Sequence, residues 1–139
     1  MNSSNEQLFQ SVFNCATVPM VLVKADVPRF TIITHNKQHK IISSCLDQNI
    51  TAKSASFVFE QALVKGSNEL DLLLNSMSLA QTNNQTVRIP ALNFPGYNLS
   101  EECNLWQIEI VPVAVSSKEA DCLLMIWHNI LAADPDQEL

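Results

Sequence analysis

Two apolar segments near the C-terminus constrain the fold more than any other feature. They lie between Asn104 and Ile130, and the polar residues SSKEA separate them, which is the pattern of an antiparallel hairpin. In the first segment Trp106, Ile108 and Ile110 alternate with polar residues, so one face of this strand is dry. The second segment, residues 123–127, is apolar at every position. We therefore expect a central strand that is covered on both faces.

The residues before this hairpin predict an N-terminal helix, further strands and several short helices. Overlapping capping boxes precede an apolar stripe at helical spacing, which predicts an amphipathic helix over residues 4–14. Pro90 cannot donate to a sheet ladder, so its strand is expected at an edge or at a bulge. Strands are predicted over 20–24, 29–35 and 86–92, and helices over 36–44, 56–65 (ended by Gly66 as a C-terminal cap) and 68–81.

The order of these elements indicates an α+β domain. Helix, two strands, several helices and three strands predict a five-stranded antiparallel sheet with short helices over one face. We divide the chain into an N-terminal amphipathic helix at 1–17, the domain at 18–130 and an acidic tail or linker at 131–139.

Length, composition and charge exclude several classes of protein. A chain of 139 residues with 47% hydrophobic residues suits a single folded domain. Its net charge is −6 and its eight basic residues form no cluster, so we expect no nucleic-acid binding. No apolar run approaches the ~20 residues of a membrane helix, and the N-terminus does not resemble a signal peptide. A cytoplasmic protein is the expectation.

Residues with chemical potential form no recognised catalytic constellation. The sequence contains no GxSxG, HExxH or P-loop motif, and its two glycines are too few for a phosphate-binding loop. We therefore expect no enzyme, no catalytic residue and no metal site. The four cysteines are far apart and form no CxxC, which favours reduced thiols packed as small hydrophobic residues. His35 and His39 are the candidates for a haem or metal ligand, but a strand end and an exposed helix face are the more economical interpretation.

The order β-β-helices-β-β-β resembles the PAS domain (sensory box) family, as found at the N-terminal side of bacterial signalling proteins. The likeness covers residues 8–130 and includes the opening CATVPMVLVKAD, Asn36 after the second strand, and Trp106 followed by Pro112 before the last strand. The chain departs from the family pattern at Gln38, where alanine is frequent, and at residues 129–131, where Asp-Ile-Thr is frequent. The segment SSCLDQN around Cys45 does not match the Asn-Cys-Arg-Phe motif of flavin-binding relatives, so no flavin adduct is expected. Haem is not expected either, because no second cluster of ligands accompanies His35 and His39, and the cofactor stays unknown.

The resemblance implies a sensory or regulatory module that binds a small ligand or partner. The output domain, such as a histidine kinase, a cyclic-di-GMP enzyme or a transcription regulator, would lie outside this chain. The resemblance also implies a homodimer, with an interface at the N-terminal helix. The candidate ligand pocket consists of Met20, Leu22, Ile33, Asn36, Phe57, Phe59, Leu73, Trp106, Ile108 and Met125, and the candidate dimer interface of Leu8, Phe9, Val12 and Phe13.

Two alternatives remain open at this point. The same apolar residues also suit a filled core, which would make the chain a ligand-free dimerisation or scaffold domain. A small α+β enzyme of the cone-shaped isomerase type would need an acid or base inside the pocket, and only Glu101 and Glu102 of the polar loop 93–102 offer one.

Overall fold

The structure is a computed structural model and describes most of the chain. It covers residues 2–43, 50–63, 66, 68–97, 105–114 and 121–130. Several sequence predictions concern residues outside these ranges: the polar break SSKEA, Cys45, Cys103, Glu101, Glu102 and the acidic tail 131–139.

The described residues form a five-stranded antiparallel sheet and four helices. The strand order is β2-β1-β5-β4-β3, and every neighbouring pair runs antiparallel. This confirms the predicted α+β fold. In chain order the elements are α1 (Asn2–Cys15), β1 (Met20–Lys24), β2 (Ile32–His35), α2 (Lys37–Ile42), α3 (Ala55–Glu60), α4 (Glu69–Asn83), β3 (Val87–Asn93), β4 (Leu105–Val113) and β5 (Cys122–Asn129).

The apolar C-terminal segment forms the central strand, as its composition predicts. β5 pairs with β4 from Trp106 opposite Asn129 to Val113 opposite Cys122, and with β1 on its other side. The helix-covered face of β5 buries Leu123, Met125 and Trp127 completely. The opposite face carries the half-buried Leu124 and Ile126.

Pro90 lies in an edge strand of the sheet, at an interruption of the strand pairing. β3 lies at one edge of the sheet, and its register against β4 shifts between Ile89 and Leu92, the stretch that contains Pro90. Because proline has no N–H to donate, the strand cannot keep an unbroken ladder at this point. The predicted edge position and bulge are both confirmed.

The second strand is shorter than predicted. β2 begins at Ile32 rather than at Arg29, because a turn occupies the preceding residues. The Asp26 carboxylate accepts hydrogen bonds from the Thr31 N–H at 2.8 Å and the Thr31 hydroxyl at 2.6 Å. Phe30 has a positive φ of 48° in this turn, and its side chain is buried. Side-chain burial thus outweighs the β propensity of RFTIITH.

The third helix also ends earlier than predicted. α3 ends at Glu60 with Gln61 as its C-cap, so Gly66 does not cap it. Its N-terminus is set by Ser54, whose hydroxyl accepts from the Phe57 N–H at 3.2 Å. Gly66 does have the positive φ, 82°, that glycine permits, but it lies beyond the helix.

The core lies between the sheet and the longest helix, α4. Its buried face presents Leu73, Met77 and Ala80 to the sheet, and the left-handed Asn84 ends the helix. The predicted stripe at i, i+3, i+4 and i+7 is thus the packed face of this helix.

Neighbouring leucines on α4 test this packing. Leu73 is 0% exposed and Leu72 is 46% exposed, so both Leu→Ala variants change the helix propensity equally and only Leu73→Ala leaves a cavity. We expect Leu73→Ala to lower the free energy of unfolding by about 3 kcal/mol and Leu72→Ala by less than about 1 kcal/mol, measured by urea denaturation. Equal losses for the two variants would contradict this arrangement.

Candidate functional site

The Asn36 side chain joins four segments of the backbone at the end of β2. Its Oδ1 accepts hydrogen bonds from the Met20 N–H at 2.9 Å and the His39 N–H at 3.0 Å. Its Nδ2 donates to the Phe13 carbonyl at 3.1 Å and the Val18 carbonyl at 2.9 Å. Asn36 is fully buried, and these bonds use both donors and both lone pairs of its amide. One side chain therefore fixes α1, β1 and the start of α2 relative to one another.

A chain of hydrogen-bonding rings runs through the core beside Asn36. His35 Nδ1 and His39 Nδ1 lie 2.9 Å apart, and His39 Nε2 lies 2.5 Å from the Tyr97 hydroxyl oxygen. His39 is 0% exposed, and His35 and Tyr97 are also buried. Asn36 caps α2 and so sets the direction in which His39, three residues later, enters the core.

The two histidine rings have two complementary hydrogen-bonding patterns. In one pattern His39 donates from Nδ1 to His35, and the Tyr97 hydroxyl donates to His39 Nε2. In the other pattern His35 donates to His39 Nδ1, and His39 donates from Nε2 to the Tyr97 oxygen. Each neutral imidazole carries one N–H and one acceptor nitrogen, so a change of partner at Tyr97 changes the tautomer of His39.

Burial keeps this chain uncharged at neutral pH. Burial, with the Lys40 ammonium as a smaller cause, lowers the pKa of His35 to about 4. Burial, followed by the neighbouring His35, lowers the pKa of His39 well below its ordinary value. Both effects disfavour the imidazolium form.

Aromatic rings surround the inner end of the chain. Trp127 of β5 lies with ring centroids 5.4 Å from Tyr97, 5.6 Å from His39 and 5.6 Å from Phe59. The second indole, Trp106, donates from Nε1 to the Tyr97 carbonyl at 3.1 Å. Trp127 Nε1 is buried and has no hydrogen-bond partner among the described residues.

His39 does not lie where its sequence position suggested. The sequence predicts an exposed helix face for His39, but its ring is fully buried between His35, Tyr97 and Trp127. The Asn36 side chain accepts from the His39 N–H and fixes the start of α2, and His39 lies on the buried face of this helix with Ile42. His35 lies at the end of its strand, as predicted.

The structure brings six of the ten candidate pocket residues into the core and leaves four away from its buried centre. Fully or almost fully buried are Asn36, Phe59, Leu73, Trp106, Ile108 and Met125. Met20 and Leu22 alternate with the buried Val21 and Val23, so they point to the opposite sheet face. Ile33 is half-buried at the β-bulge between β1 and β2, and Phe57 is 51% exposed with the Lys53 ammonium 5.2 Å from its ring centroid.

The candidate interface residues on α1 also divide into two groups. Leu8 and Val12 are 64% and 63% exposed, whereas Phe13 is buried against its own chain. The Phe9 side chain lies outside the described part of the structure. Leu8 and Val12, one turn apart, therefore form the exposed apolar stripe of this helix.

The chemistry of the site is that of neutral hydrogen bonding in an apolar surround. Apart from Tyr97 and the two tryptophans, the polar or charged side chains buried within the described ranges are His35, Asn36, His39 and Ser76. In the same part of the chain no three His, Cys, Asp or Glu residues lie close enough together to hold a metal ion. None of the described helices is both long and apolar enough to cross a membrane.

Tyr97 and Trp127 are members of this site that no sequence pattern predicts. Tyr97 is the only tyrosine of the chain, and it lies in a loop 58 residues from His39, so no local pattern joins them. The useful signal was the four-residue spacing of His35 and His39 around Asn36, which places two imidazoles on one side of a strand–helix junction.

The chain is similar to known proteins in its three-dimensional structure and not in its sequence. No protein-family profile and no curated protein sequence matches the chain. The Rhodobacter sphaeroides LOV protein is similar with a TM-score of 0.65 and 15% identity, over 94% of this chain and 69% of that one. A sensory box sensor histidine kinase from Vibrio cholerae has a TM-score of 0.58 and 10% identity, over 93% and 94%.

The PAS domain of an HTR-like protein from Haloarcula marismortui gives the same values of TM-score and coverage as the kinase, 0.58, 93% and 94%, at 8% identity. At these identities the likeness shows the fold. The chain has a PAS-like fold, which confirms the resemblance at the level of architecture.

Removal of the Asn36 amide tests its joining role. Asn36→Ala leaves two backbone N–H groups and two carbonyls without this partner, and we expect a loss of about 4 kcal/mol in the free energy of unfolding. Asn75→Ala, an exposed asparagine on α4, is the control and should change stability by less than about 0.5 kcal/mol. A loss below about 1 kcal/mol for Asn36→Ala would show that the four bonds are dispensable.

The buried histidines predict a dependence of stability on pH. Because the pKa of His35 is about 4 in the folded chain and about 6.5 in the unfolded chain, the unfolded state binds more protons between these values. Stability should therefore fall as the pH drops from about 6.5 to about 4 and level off above about 6.5. Urea denaturation at a series of pH values measures this slope. His35→Gln should reduce this slope without abolishing it, because burial also lowers the pKa of His39. An unchanged slope in His35→Gln would contradict the contribution of His35.

Proposed function

We propose that the chain is a sensory or regulatory module of signal transduction that binds a small molecule between its helices and its sheet. The observation that carries the proposal is the polar ring chain His35–His39–Tyr97 in an otherwise apolar core. Buried polar groups lower the stability unless every hydrogen bond is made. The adjacent Trp127 Nε1–H has no hydrogen-bond acceptor among the described residues. Such an arrangement suits recognition better than stability alone. The PAS-like fold of the sensor proteins to which the chain is similar supports the same function.

The signal would leave the site through Asn36. His39 shares the Asn36 side chain with Met20 and with the Phe13 carbonyl at the end of α1. A ligand that binds two arrangements of His39 with different affinity would shift the population of α1 positions by that difference. The output domain lies outside this sequence in the proposal. A histidine kinase, a cyclic-di-GMP enzyme and a transcription regulator all suit it.

Homodimerisation through α1 belongs to the same proposal. Leu8 and Val12 form an exposed apolar stripe, and the outer face of the sheet carries the half-buried Met20, Leu124 and Ile126. A second copy related by a two-fold axis would cover such a stripe with its own. The domain at 18–130 would then hold the ligand, and the helix at 1–17 would join two of them.

A ligand-free dimerisation or scaffold domain is the second candidate. Phe59, Leu73, Ile108 and Met125, which were expected to line a pocket, are all 0% exposed. This burial is what a filled core requires. The two candidates share the dimer and differ in the small molecule.

Native mass spectrometry of the freshly purified protein, followed by a denaturing measurement, separates these candidates. We expect twice the chain mass of 15.5 kDa plus a small molecule that is released on denaturation. A dimer at bare protein mass would favour the scaffold candidate. A monomer would contradict the role of α1.

Variants on α1 make the dimer test specific. Leu8→Glu/Val12→Lys removes the apolar stripe while its i, i+4 charge pair supports the helix, and we expect a monomer. The control is Leu79→Glu on α4, where the leucine is 52% exposed, and this variant should remain a dimer. Dissociation by both variants would instead indicate a general loss of structure.

A further inference from the structure

Trp127 presents the least satisfied polar group of the core. Three buried side-chain atoms lack a partner among the described residues, namely Gln81 Oε1, Asn93 Oδ1 and Trp127 Nε1. Gln81 and Asn93 are half-buried residues of α4 and β3, whereas Trp127 is 0% exposed at the centre of the sheet. A buried donor without an acceptor is destabilising, so this indole differs in kind from the other two groups.

The position of Trp127 is fixed by its backbone. The backbone N–H of Trp127 donates to the Pro19 carbonyl at 3.0 Å, and the residue pairs with Ile108 of β4. His39, Phe59, Phe94 and Tyr97 have ring centroids within 5.8 Å of the indole. The indole cannot move to find an acceptor elsewhere without disturbing the central strand and four packed rings. The acceptor must therefore come to the indole.

The surroundings of Trp127 determine the charge of that acceptor. No carboxylate, ammonium or guanidinium group is buried in the part of the chain that the structure describes. His35 and His39 are held neutral by burial. An ion placed here would have no counter-charge, and an unpaired buried charge is very costly. Aromatic rings on the surrounding walls favour a planar or apolar body.

We infer that the core site around Trp127 takes a small uncharged, largely apolar molecule whose single oxygen or ring-nitrogen acceptor binds the Trp127 Nε1–H. This inference rests on the proposed function and names the class of ligand for that site. Indole is a donor only, so a ligand that offers only a donor at this point gains nothing. The neighbouring His39 and Tyr97 adapt to either a donor or an acceptor of the ligand through the two tautomeric patterns. The Trp127 Nε1–H accommodates an acceptor only, so Trp127 determines which ligands bind.

Three probes of one shape test the inference. Acetophenone carries a carbonyl acceptor, α-methylstyrene replaces the carbonyl oxygen by CH₂, and benzoate carries a full negative charge at neutral pH. The chain contains two tryptophans, so its ¹H–¹⁵N spectrum contains two indole signals. Trp106 already donates to the Tyr97 carbonyl and is an internal reference.

Titration of the wild-type protein needs no variant that might unfold. We expect acetophenone to move the Trp127 indole proton downfield, as a new hydrogen bond does, with a smaller change at Trp106. α-Methylstyrene should bind without that downfield change, and benzoate should bind at least tenfold more weakly than acetophenone. An unmoved Trp127 signal at saturating acetophenone, no binding of either neutral probe, or equal affinity for benzoate would overturn the inference.

Paired tryptophan variants test the same bond by affinity. Trp127→Phe should weaken acetophenone about tenfold relative to α-methylstyrene, the value of one net hydrogen bond. Trp106→Phe should change the affinities of the two probes by the same factor. Equal effects on both probes in Trp127→Phe would overturn the inference.

Failure of this inference is distinguishable from failure of the proposed function. If native mass spectrometry releases a molecule that is charged or lacks an acceptor, the ligand class is wrong and the sensor function stands. If it shows bare protein and neither neutral probe binds, both the ligand class and small-molecule sensing are wrong.

Discussion

The fold depends on the complete satisfaction of one buried amide. Asn36 makes four hydrogen bonds to the backbone of segments that sequence separates: the end of α1, the residues before β1, the start of β1 and the first turn of α2. A buried amide with unmade bonds would destabilise the core, but a fully bonded one restricts the core to a single arrangement. The position of α1 against the sheet and the direction of α2 both follow from this restriction.

The core combines apolar packing with the chain of hydrogen-bonding rings His35–His39–Tyr97. Trp106, Ile108 and Leu73 supply the apolar burial that stabilises the domain. Burial, by contrast, lowers the pKa values of His35 and His39, which makes the folded state sensitive to acid. A protein under selection for stability alone would fill these positions with aliphatic residues. The chain His35–His39–Tyr97 is therefore the feature on which the proposed ligand recognition rests.

The two faces of the sheet have different roles. On the helix-covered face, Val21, Met125 and Ile108 are fully buried. On the opposite face, Leu124 and Ile126 remain half-buried. The central strand is apolar on both faces. The helices of this chain cover one face completely, and the other face is only half-buried.

The sequence by itself determined the strands, the long helix and the fold class, because these depend on periodicities that are local. The alternation in 106–110, the apolar run 123–127 and the stripe of α4 are each readable within about ten residues. It also placed Asn36 and the edge at Pro90. Only the tertiary structure decided that His39 is buried, that Met20 and Leu22 face away from the core, and that Tyr97 meets His39. Those outcomes depend on strand register, on the direction of a six-residue helix and on a contact between distant residues, and no local pattern encodes them.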